Sequence, residues 1–195
     1  MKRKALFLDR DGVINIDHGY VYRCEDFEFM DGIFDLCKSA QNNGLEIIII
    51  TNQAGIARGF YTEHDFEVLS KWVVDVFKRK EIFIADIFCC PYHPLHGIGH
   101  YKKDAECRKP NPGMILQAAS KHDLNLSCSF LIGDKVSDIE AGLAAGVGNS
   151  LLLSSSGDYN HLNVPSIKTL SEAIPIIEQK LLQMDRDSFG LSANR

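Results

Sequence analysis

The chain lacks the features that mark membrane, secreted or nucleic-acid-binding proteins. None of its apolar runs is long enough to cross a bilayer. Its formal net charge of −5 at pH 7 offers nothing that would attract a nucleic acid or an anionic membrane. The basic residues 2–4 are followed by an apolar run that ends at Asp9, which is too short for a signal peptide. We therefore predict a cytoplasmic protein with no nucleic-acid partner and no membrane partner.

Internal repeats, linkers and a disulfide framework are missing as well. The six cysteines are spread from Cys24 to Cys128, and in a cytoplasmic chain such residues are more often free thiols or metal ligands than disulfides. A chain of 195 residues is long enough to bury one hydrophobic core. We predict a single domain over residues 1–184, followed by a polar tail over residues 185–195.

The chain does contain a regular alternation of strand and helix patterns. Short apolar runs predict strands at 5–8, 45–50, 84–90, 129–132 and 149–153. Amphipathic patterns predict helices at 32–43, 63–80, 113–122, 137–145 and 169–182, the last kinked or split by Pro175. Residues 15–30 and 91–112 have no clean period and are predicted loops. This alternation predicts an α/β fold with three layers (α/β/α) and a mostly parallel, doubly wound sheet.

Polar side chains follow three of these strands. Asp9 and Asp11 come directly after the first strand, Thr51 follows the second, and Asp134 follows the fourth. The carboxyl ends of parallel strands lie on one edge of a sheet, where open α/β folds bind their ligands. Two nearby carboxylates need a shared cation or a proton, and hard oxygen ligands suit Mg²⁺. An Asp-Gly turn alone would explain the first pair, but the convergence of all four residues favours a functional site.

These residues are suited to phosphoryl transfer. One aspartate can attack phosphorus while a second moves protons, and Arg108 or Lys109 can supply positive charge. Each of these residues also has a simpler explanation. The Arg108–Lys109 doublet could be a solvated pair. Asp138 could complete the Mg²⁺ site or only stabilise a helix dipole.

The motifs together resemble those of the haloacid dehalogenase (HAD) superfamily of phosphohydrolases. Residues 9–12 (DRDG), Thr51, Lys109, and Gly133-Asp134 with Asp138 match its four motifs in order. The resemblance implies a HAD-like, Rossmannoid fold. We expect no large cap domain, since nothing in the chain is long enough to be one.

A narrower resemblance is to the D-glycero-D-manno-heptose-1,7-bisphosphate 7-phosphatases. It is carried by DRDGVIN at 9–15, DHGY at 17–20, TNQ at 51–53, GIARG at 55–59, CRKP at 107–110 and GDK at 133–135. It implies a phosphoric monoester hydrolase of the D-glycero-β-D-manno-heptose 1,7-bisphosphate 7-phosphatase type, although the preferred anomer stays open. Such enzymes act in making nucleotide-heptose precursors of lipopolysaccharide core and surface glycans.

The resemblance also implies a role for each matched residue. Asp9 would be the nucleophile and Asp11 the general acid/base, while Thr51 and Lys109 would stabilise the transferring phosphoryl group. Mg²⁺ would be bound by Asp9, the backbone carbonyl of Asp11, and Asp134. Arg108 would recognise the distal phosphate. The implied substrate-binding residues are Arg10, Asp17, His18, Gly19, Tyr20, Asn52, Gln53, Ala54, Arg108 and Lys135.

One family feature looks degraded. Many relatives carry a structural zinc in the loop after the third strand, and here Tyr92 and Ala105 stand at two of the ligand positions. If Zn²⁺ is bound, we expect Cys90, His93 and Cys107 as ligands, whereas four good ligands are usual. Cys89, His96 and His100 are near enough in the sequence to replace a missing ligand. We therefore expect the loop to keep its shape by packing and hydrogen bonds.

Other functions stay open at this point. The implied partner is a small phosphorylated sugar, and we predict a monomer. The alternatives are a phosphatase for histidinol phosphate or another small sugar phosphate, and a non-catalytic binding domain on the same scaffold.

Overall fold

The computed structural model describes residues 2–154 and 163–188, and within them it has one parallel sheet. The sheet order is β3-β2-β1-β4-β5-β6, so the first strand lies at its centre. Five strands cover most of the predicted positions, and a two-residue strand ends the sheet. The strands are β1 (Lys4–Leu8), β2 (Leu45–Asn52), β3 (Ile84–Cys90), β4 (Phe130–Gly133), β5 (Asn149–Leu153) and β6 (Ser166–Ile167).

Helices cover both faces of this sheet. They are α1 (Ile33–Asn42), α2 (Ala54–Ala57), α3 (Glu63–Arg79), α4 (Gly113–His122), α5 (Val136–Ala145) and α6 (Leu170–Ser188). Alternate residues of the central strands enter two separate cores, because successive strand side chains point to opposite faces. Leu6 and Ile47 pack with α1, α3 and α6, whereas Phe7 and Ile48 pack with α4 and α5. The predicted three-layer α/β/α fold is confirmed.

The central strands form because their side chains are buried on both faces. Residues 45–50 (LEIIII) contain four isoleucines in a row, all of them buried in the two cores. Burying each such side chain contributes roughly 1.5–3 kcal/mol. This strong, local driving force explains why the sequence pattern located the strand well.

The structure extends or corrects several predicted elements. Strand β2 continues through Thr51 and Asn52, which pair with Cys89 and Cys90 of β3. Helix α2 and strand β6 were not predicted because four and two residues are too few to show a period.

Of the two predicted effects of Pro175, a kink or a split, the split is wrong, because α6 is one continuous helix with Pro175 inside it. A proline removes one backbone hydrogen bond, and Ala173, Ile177 and Leu181 bury the same helix in the core. The helix includes residues 185–188 of the predicted tail, and residues 189–195 lie outside the described part. No helix in that part is both long and apolar enough to cross a membrane.

Candidate active site

The carboxyl ends of β1, β2 and β4 meet at one cavity of about 530 Å³. Asp9 follows β1, and its backbone N–H bonds to the carbonyl of Ile132 in β4, which fixes the two strand ends side by side. Ten predicted site residues line the cavity, together with four residues outside the predicted set. The ten are Asp9, Asp11, Asp17, Gly19, Tyr20, Asn52, Ala54, Arg108, Lys109 and Lys135, and the four are Tyr61, Pro110, Ser137 and Asp138.

Lys109 forms the charged centre of the site. Its Nζ lies 2.6 Å from Asp9 Oδ1 and 2.7 Å from Asp138 Oδ1, and it also donates to the Ile50 carbonyl at 3.0 Å. All three charged side chains are buried. Burial disfavours the ammonium, but the two carboxylates outweigh it and raise the pKa of Lys109. Lys109 is therefore a fixed cation rather than a solvated side chain.

Three carboxylates gather beside this lysine. One oxygen from each of Asp9, Asp134 and Asp138 lies within 4.8 Å of the others. Burial chiefly raises the pKa of Asp9, to about 8; Lys109 opposes the shift, and Asp138 and Asp134 add to it. Oδ1 of Asp134 is buried and has no hydrogen-bond partner among the described residues. A buried, unpartnered carboxylate oxygen in an all-oxygen donor set fits a hard divalent cation such as Mg²⁺.

Gly12 makes room for this group. Its φ is +97°, and a Cβ at this position would lie 2.3 Å from Asp134 Oδ2. Any other residue would therefore strain the backbone and displace Asp134. The Asp-Gly sequence after β1 thus serves the carboxylate cluster as well as the turn.

Asp11 points away from the three carboxylates and is held by other side chains. Its two oxygens each accept from Arg10 Nη2 at 2.8 Å. Asn15 Nδ2 donates to Oδ1 at 3.1 Å, and Gln53 Nε2 donates to Oδ2 at 3.2 Å. Asp9 and Asp11 therefore occupy different environments, one facing Lys109 and the other facing Arg10.

Four of the predicted residues lie behind the cavity rather than in its lining. Arg10 is buried against Asp11 and also donates to the Val21 carbonyl at 2.7 Å. Thr51 is buried at the end of β2, and its Oγ1 accepts from Gln53 at 2.7 Å. Gln53 itself is buried, and Asp134 sits among the carboxylates. These residues support the groups that line the cavity.

The segment 107–110 is fastened to β2 and to the preceding loop. Asn52 Nδ2 donates to the Lys109 carbonyl, and the Lys109 N–H donates to Asn52 Oδ1, both at 3.1 Å. Arg108 Nη1 donates to the Tyr92 carbonyl at 3.1 Å. These bonds hold Lys109 in the site and leave Arg108 lining the cavity.

The loop 17–20 forms the opposite wall. Asp17 pairs with Lys135 at 3.2 Å and accepts from the Gly19 N–H at 3.0 Å. Burial acts against these contacts, but they outweigh it and lower the pKa of Asp17. Tyr20 has a φ of +54° and meets Phe60 edge-on at 4.8 Å between ring centroids. His18 lies outside the cavity lining and pairs with Glu28 at 3.2 Å.

Only two of the three residues considered for zinc come together. Cys90 and Cys107 lie side by side, with 2.8 Å between their sulfur atoms. Nδ1 of His93 instead accepts from the N–H groups of Leu95 and His96. Among the described residues, the one group of three possible metal ligands is the carboxylate cluster.

Two residues of the site were not assigned to it from the sequence. Asp138, whose role was left open, proves to be a partner of Lys109 in the carboxylate cluster. Its position four residues after Asp134, on the first turn of a helix, was the available signal. Tyr61 also lines the cavity, and an aromatic residue next to a predicted helix cap carries no such signal.

A protein of Burkholderia mallei named D-glycero-alpha-D-manno-heptose-1,7-bisphosphate 7-phosphatase is 56% identical to this chain over 153 residues. The match covers 78% of this chain and 81% of the relative. The chain belongs to this phosphatase family. A family model described as HAD-hydrolase-like also matches residues 106–169. The predicted resemblance to HAD phosphatases is thereby confirmed.

A second relative agrees with membership of the heptose-bisphosphate phosphatase family, and a solved structure shares the fold. A D-glycero-beta-D-manno-heptose-1,7-bisphosphate 7-phosphatase of Vibrio cholerae is 44% identical over 153 residues, which cover 78% of this chain and 82% of the relative. The crystal structure of D,D-heptose 1,7-bisphosphate phosphatase from B. bronchiseptica, complexed with magnesium and phosphate, superposes with a TM-score of 0.76. It is 24% identical and covers 91% of this chain and 99% of its own, and the likeness establishes the shared fold.

Proposed function

We propose that this protein is a Mg²⁺-dependent phosphomonoesterase that removes the C7 phosphate of D-glycero-D-manno-heptose 1,7-bisphosphate. The observation that carries the proposal is the buried contact of Lys109 with Asp9 in the lining of the cavity. A fixed cation beside an aspartate suits an attack on a phosphoryl group, where charge must be balanced as the bond forms.

Asp9 is the proposed nucleophile. One of its carboxylate oxygens attacks phosphorus, the bond from phosphorus to the sugar oxygen breaks, and an aspartyl phosphate forms. Asp11 gives a proton to the departing sugar oxygen. It then takes a proton from the water that attacks phosphorus, which releases inorganic phosphate and restores Asp9. Lys109 stays charged and stabilises the phosphoryl oxygens in both steps.

The proposed metal ligands are Asp9, Asp134 and the backbone carbonyl of Asp11, with Asp138 beside them. When bound, Mg²⁺ offsets the negative charge of the carboxylates and of the phosphoryl group. The unpartnered oxygen of Asp134 supports this assignment. We make no assignment of Zn²⁺ to the loop that carries Cys90 and Cys107.

The proposed recognition of the sugar uses the walls of the cavity. Arg108 carries a planar fork of donors that suits the phosphate left on C1. Asp17, Tyr20 and Lys135 line the opposite side and can contact the hydroxyl groups of the heptose. The related proteins are named for both anomers, and the higher identity to the α-named relative favours the α anomer.

We place this activity in the making of a nucleotide-heptose precursor and propose that the protein works in the cytoplasm as a monomer. The deciding experiment is a phosphate-release assay with and without Mg²⁺. Its substrates are both anomers of heptose 1,7-bisphosphate, histidinol phosphate and a panel of sugar phosphates. We expect the highest kcat/KM for the α-heptose bisphosphate, no release without Mg²⁺, and release at C7 by NMR.

Two variants test whether phosphate release depends on Asp9. Asp9→Asn should abolish phosphate release, whereas Asp75→Asn, on an exposed part of α3, should not change it. Preference for histidinol phosphate would overturn the proposed substrate. Undiminished activity of Asp9→Asn would overturn the proposed mechanism. If the folded wild-type protein hydrolysed no ester, the result would favour the alternative of a non-catalytic binding domain.

A further inference from the structure

Tyr61 is buried beside the cavity and bonded to one atom of Gln53. Tyr61 lies between helices α2 and α3 in the chain, and only 6% of the residue is exposed. The hydroxyl donates to Gln53 Oε1. Burial raises the pKa of Tyr61 well above its usual range, so the phenol stays protonated and remains a donor.

This bond holds the oxygen end of the Gln53 amide, and the Asp11 carboxylate selects the end that faces it. With Oε1 taken by Tyr61, the amide NH₂ faces the other side, where it donates to Thr51 Oγ1 at 2.7 Å and to Asp11 Oδ2 at 3.2 Å. A flipped amide would turn its oxygen toward the Asp11 carboxylate and its NH₂ toward the Tyr61 donor. The contact with the acceptor-only carboxylate would then be repulsive, and the Tyr61 hydroxyl would have to turn and accept instead of donate, so the carboxylate favours the observed orientation.

The position of the Tyr61 ring is fixed by two neighbours. The Tyr22 ring stacks on it with 5.1 Å between centroids and 7° between planes. On the side of α2, a Cβ at Gly55 would lie 2.1 Å from Tyr61 Cε1. The backbone of Gly55 is not in the left-handed region, so it is the close approach of this ring that requires glycine there.

We propose that Tyr61 is a positioning residue for Asp11 that acts through Gln53. Arg10 and Asn15 hold Asp11 from its own strand end, and Gln53 approaches the same carboxylate from the end of β2. The Tyr61 hydroxyl holds Gln53 in place for that third contact, and through it positions the carboxylate of the proposed acid/base. This inference rests on the proposed function, because Asp11 moves protons only there.

The dependence of rate on the leaving group separates such positioning from a structural effect. A poor leaving group, such as a sugar alkoxide, needs a proton from Asp11, whereas 4-nitrophenolate departs without one. We would measure kcat/KM for a series of substituted phenyl phosphates and for an alkyl phosphate. These values report events up to the first phosphoryl transfer.

Tyr61→Phe should lower kcat/KM for the alkyl ester about tenfold or more and that for 4-nitrophenyl phosphate less than about threefold. Gln53→Leu should show the same steeper dependence on the leaving group. The double variant should lose no more than either single one, because both changes break one chain of contacts. Tyr101→Phe is the matched control, since it removes a hydroxyl whose partner is Glu63 on an exposed surface.

The possible results separate this inference from the proposed function. An unchanged leaving-group dependence in Tyr61→Phe would overturn the positioning role, as would additive losses in the double variant. Wild-type protein that hydrolyses phenyl phosphates but not the heptose bisphosphate would overturn the proposed substrate, and the leaving-group comparison would still decide the role of Tyr61. Hydrolysis of neither would overturn both.

Discussion

Lys109 lies one hundred residues after Asp9 in the chain, and yet its Nζ sits 2.6 Å from Asp9 Oδ1 in a buried site. The same Nζ contacts Asp138 at 2.7 Å. One ammonium therefore balances two carboxylates, one at the end of β1 and the other in the first turn of α5. Because neither carboxylate is solvated, this contact affects both the chemistry and the stability of the protein.

Replacing Lys109 with methionine keeps the length of the side chain and removes its charge. We expect phosphate release to fall at least about 100-fold, since one preorganised positive group is lost. Removing one partner of a buried ion pair costs about 3–5 kcal/mol. We expect the lower end of this range, because Asp9, with its pKa already near 8, can take up a proton.

The pH dependence of the loss of stability tests this explanation. A protonated Asp9 needs no counter-charge, whereas an ionised one does, so the stability deficit of Lys109→Met should be larger at about pH 8 than at about pH 5. Urea unfolding of both proteins in EDTA measures it. A deficit that shrinks as the pH rises would contradict the proposed charge balance.

Binding of Mg²⁺ should stabilise the wild-type protein and require Asp134. A ligand that binds only the folded state adds about 2.7 kcal/mol at one hundred times its Kd. We expect a rise in Tm with Mg²⁺ that Asp134→Asn abolishes and Asp17→Asn preserves, because Asp17 lies outside the carboxylate cluster. Equal shifts in the two variants would argue against the cluster as the metal site.

Arg108 should act on affinity for the bisphosphate rather than on the chemical step. We expect Arg108→Ala to raise KM for the heptose bisphosphate about 10- to 100-fold and to leave kcat within a few-fold. KM for the same sugar without its C1 phosphate should change little. Lys102→Ala, an exposed basic residue of the same loop, is the control. An equal rise in KM for both substrates would contradict a contact between Arg108 and the C1 phosphate.

Helix α3 begins with a capping box in which Thr62 and Asp65 satisfy each other's backbone groups. Thr62→Ala should destabilise the protein by about 1 kcal/mol, and Thr62→Ser should retain most of the stability. Hydrogen bonds from Thr62 lower the pKa of Asp65. The ionised carboxylate therefore stabilises the fold above about pH 4. The difference between the wild type and Thr62→Ala should shrink in more acidic buffer.

The loop at 91–112 should hold its shape without zinc. His93→Ala removes two backbone contacts and should cost about 1 kcal/mol. Loss of a structural zinc ligand would cost far more. Metal analysis of the purified protein, and melting with and without a zinc chelator, test this expectation. Stoichiometric zinc together with a large loss of Tm on chelation would contradict it.

The sequence pattern was most informative about the side chains that lie at the ends of strands. Asp9, Thr51 and Asp134 could be brought together from the pattern alone, because parallel strands place their carboxyl ends on one edge. The direction of a side chain depends on packing across the fold, and the sequence does not contain that information locally. The inward turn of Arg10 toward Asp11 and the contact of Tyr61 with Gln53 are of this kind.

Arg10 also has a consequence for how the protein selects substrates. One of its nitrogens bonds to the Asp11 carboxylate and to the carbonyl of Val21, at the end of the loop that carries Tyr20. A shift of that loop would therefore pull on Asp11 through a single rigid guanidinium. A substrate that pressed the loop into place would also align Asp11, the proposed acid/base. Discrimination between sugars would then be visible in turnover as well as in binding.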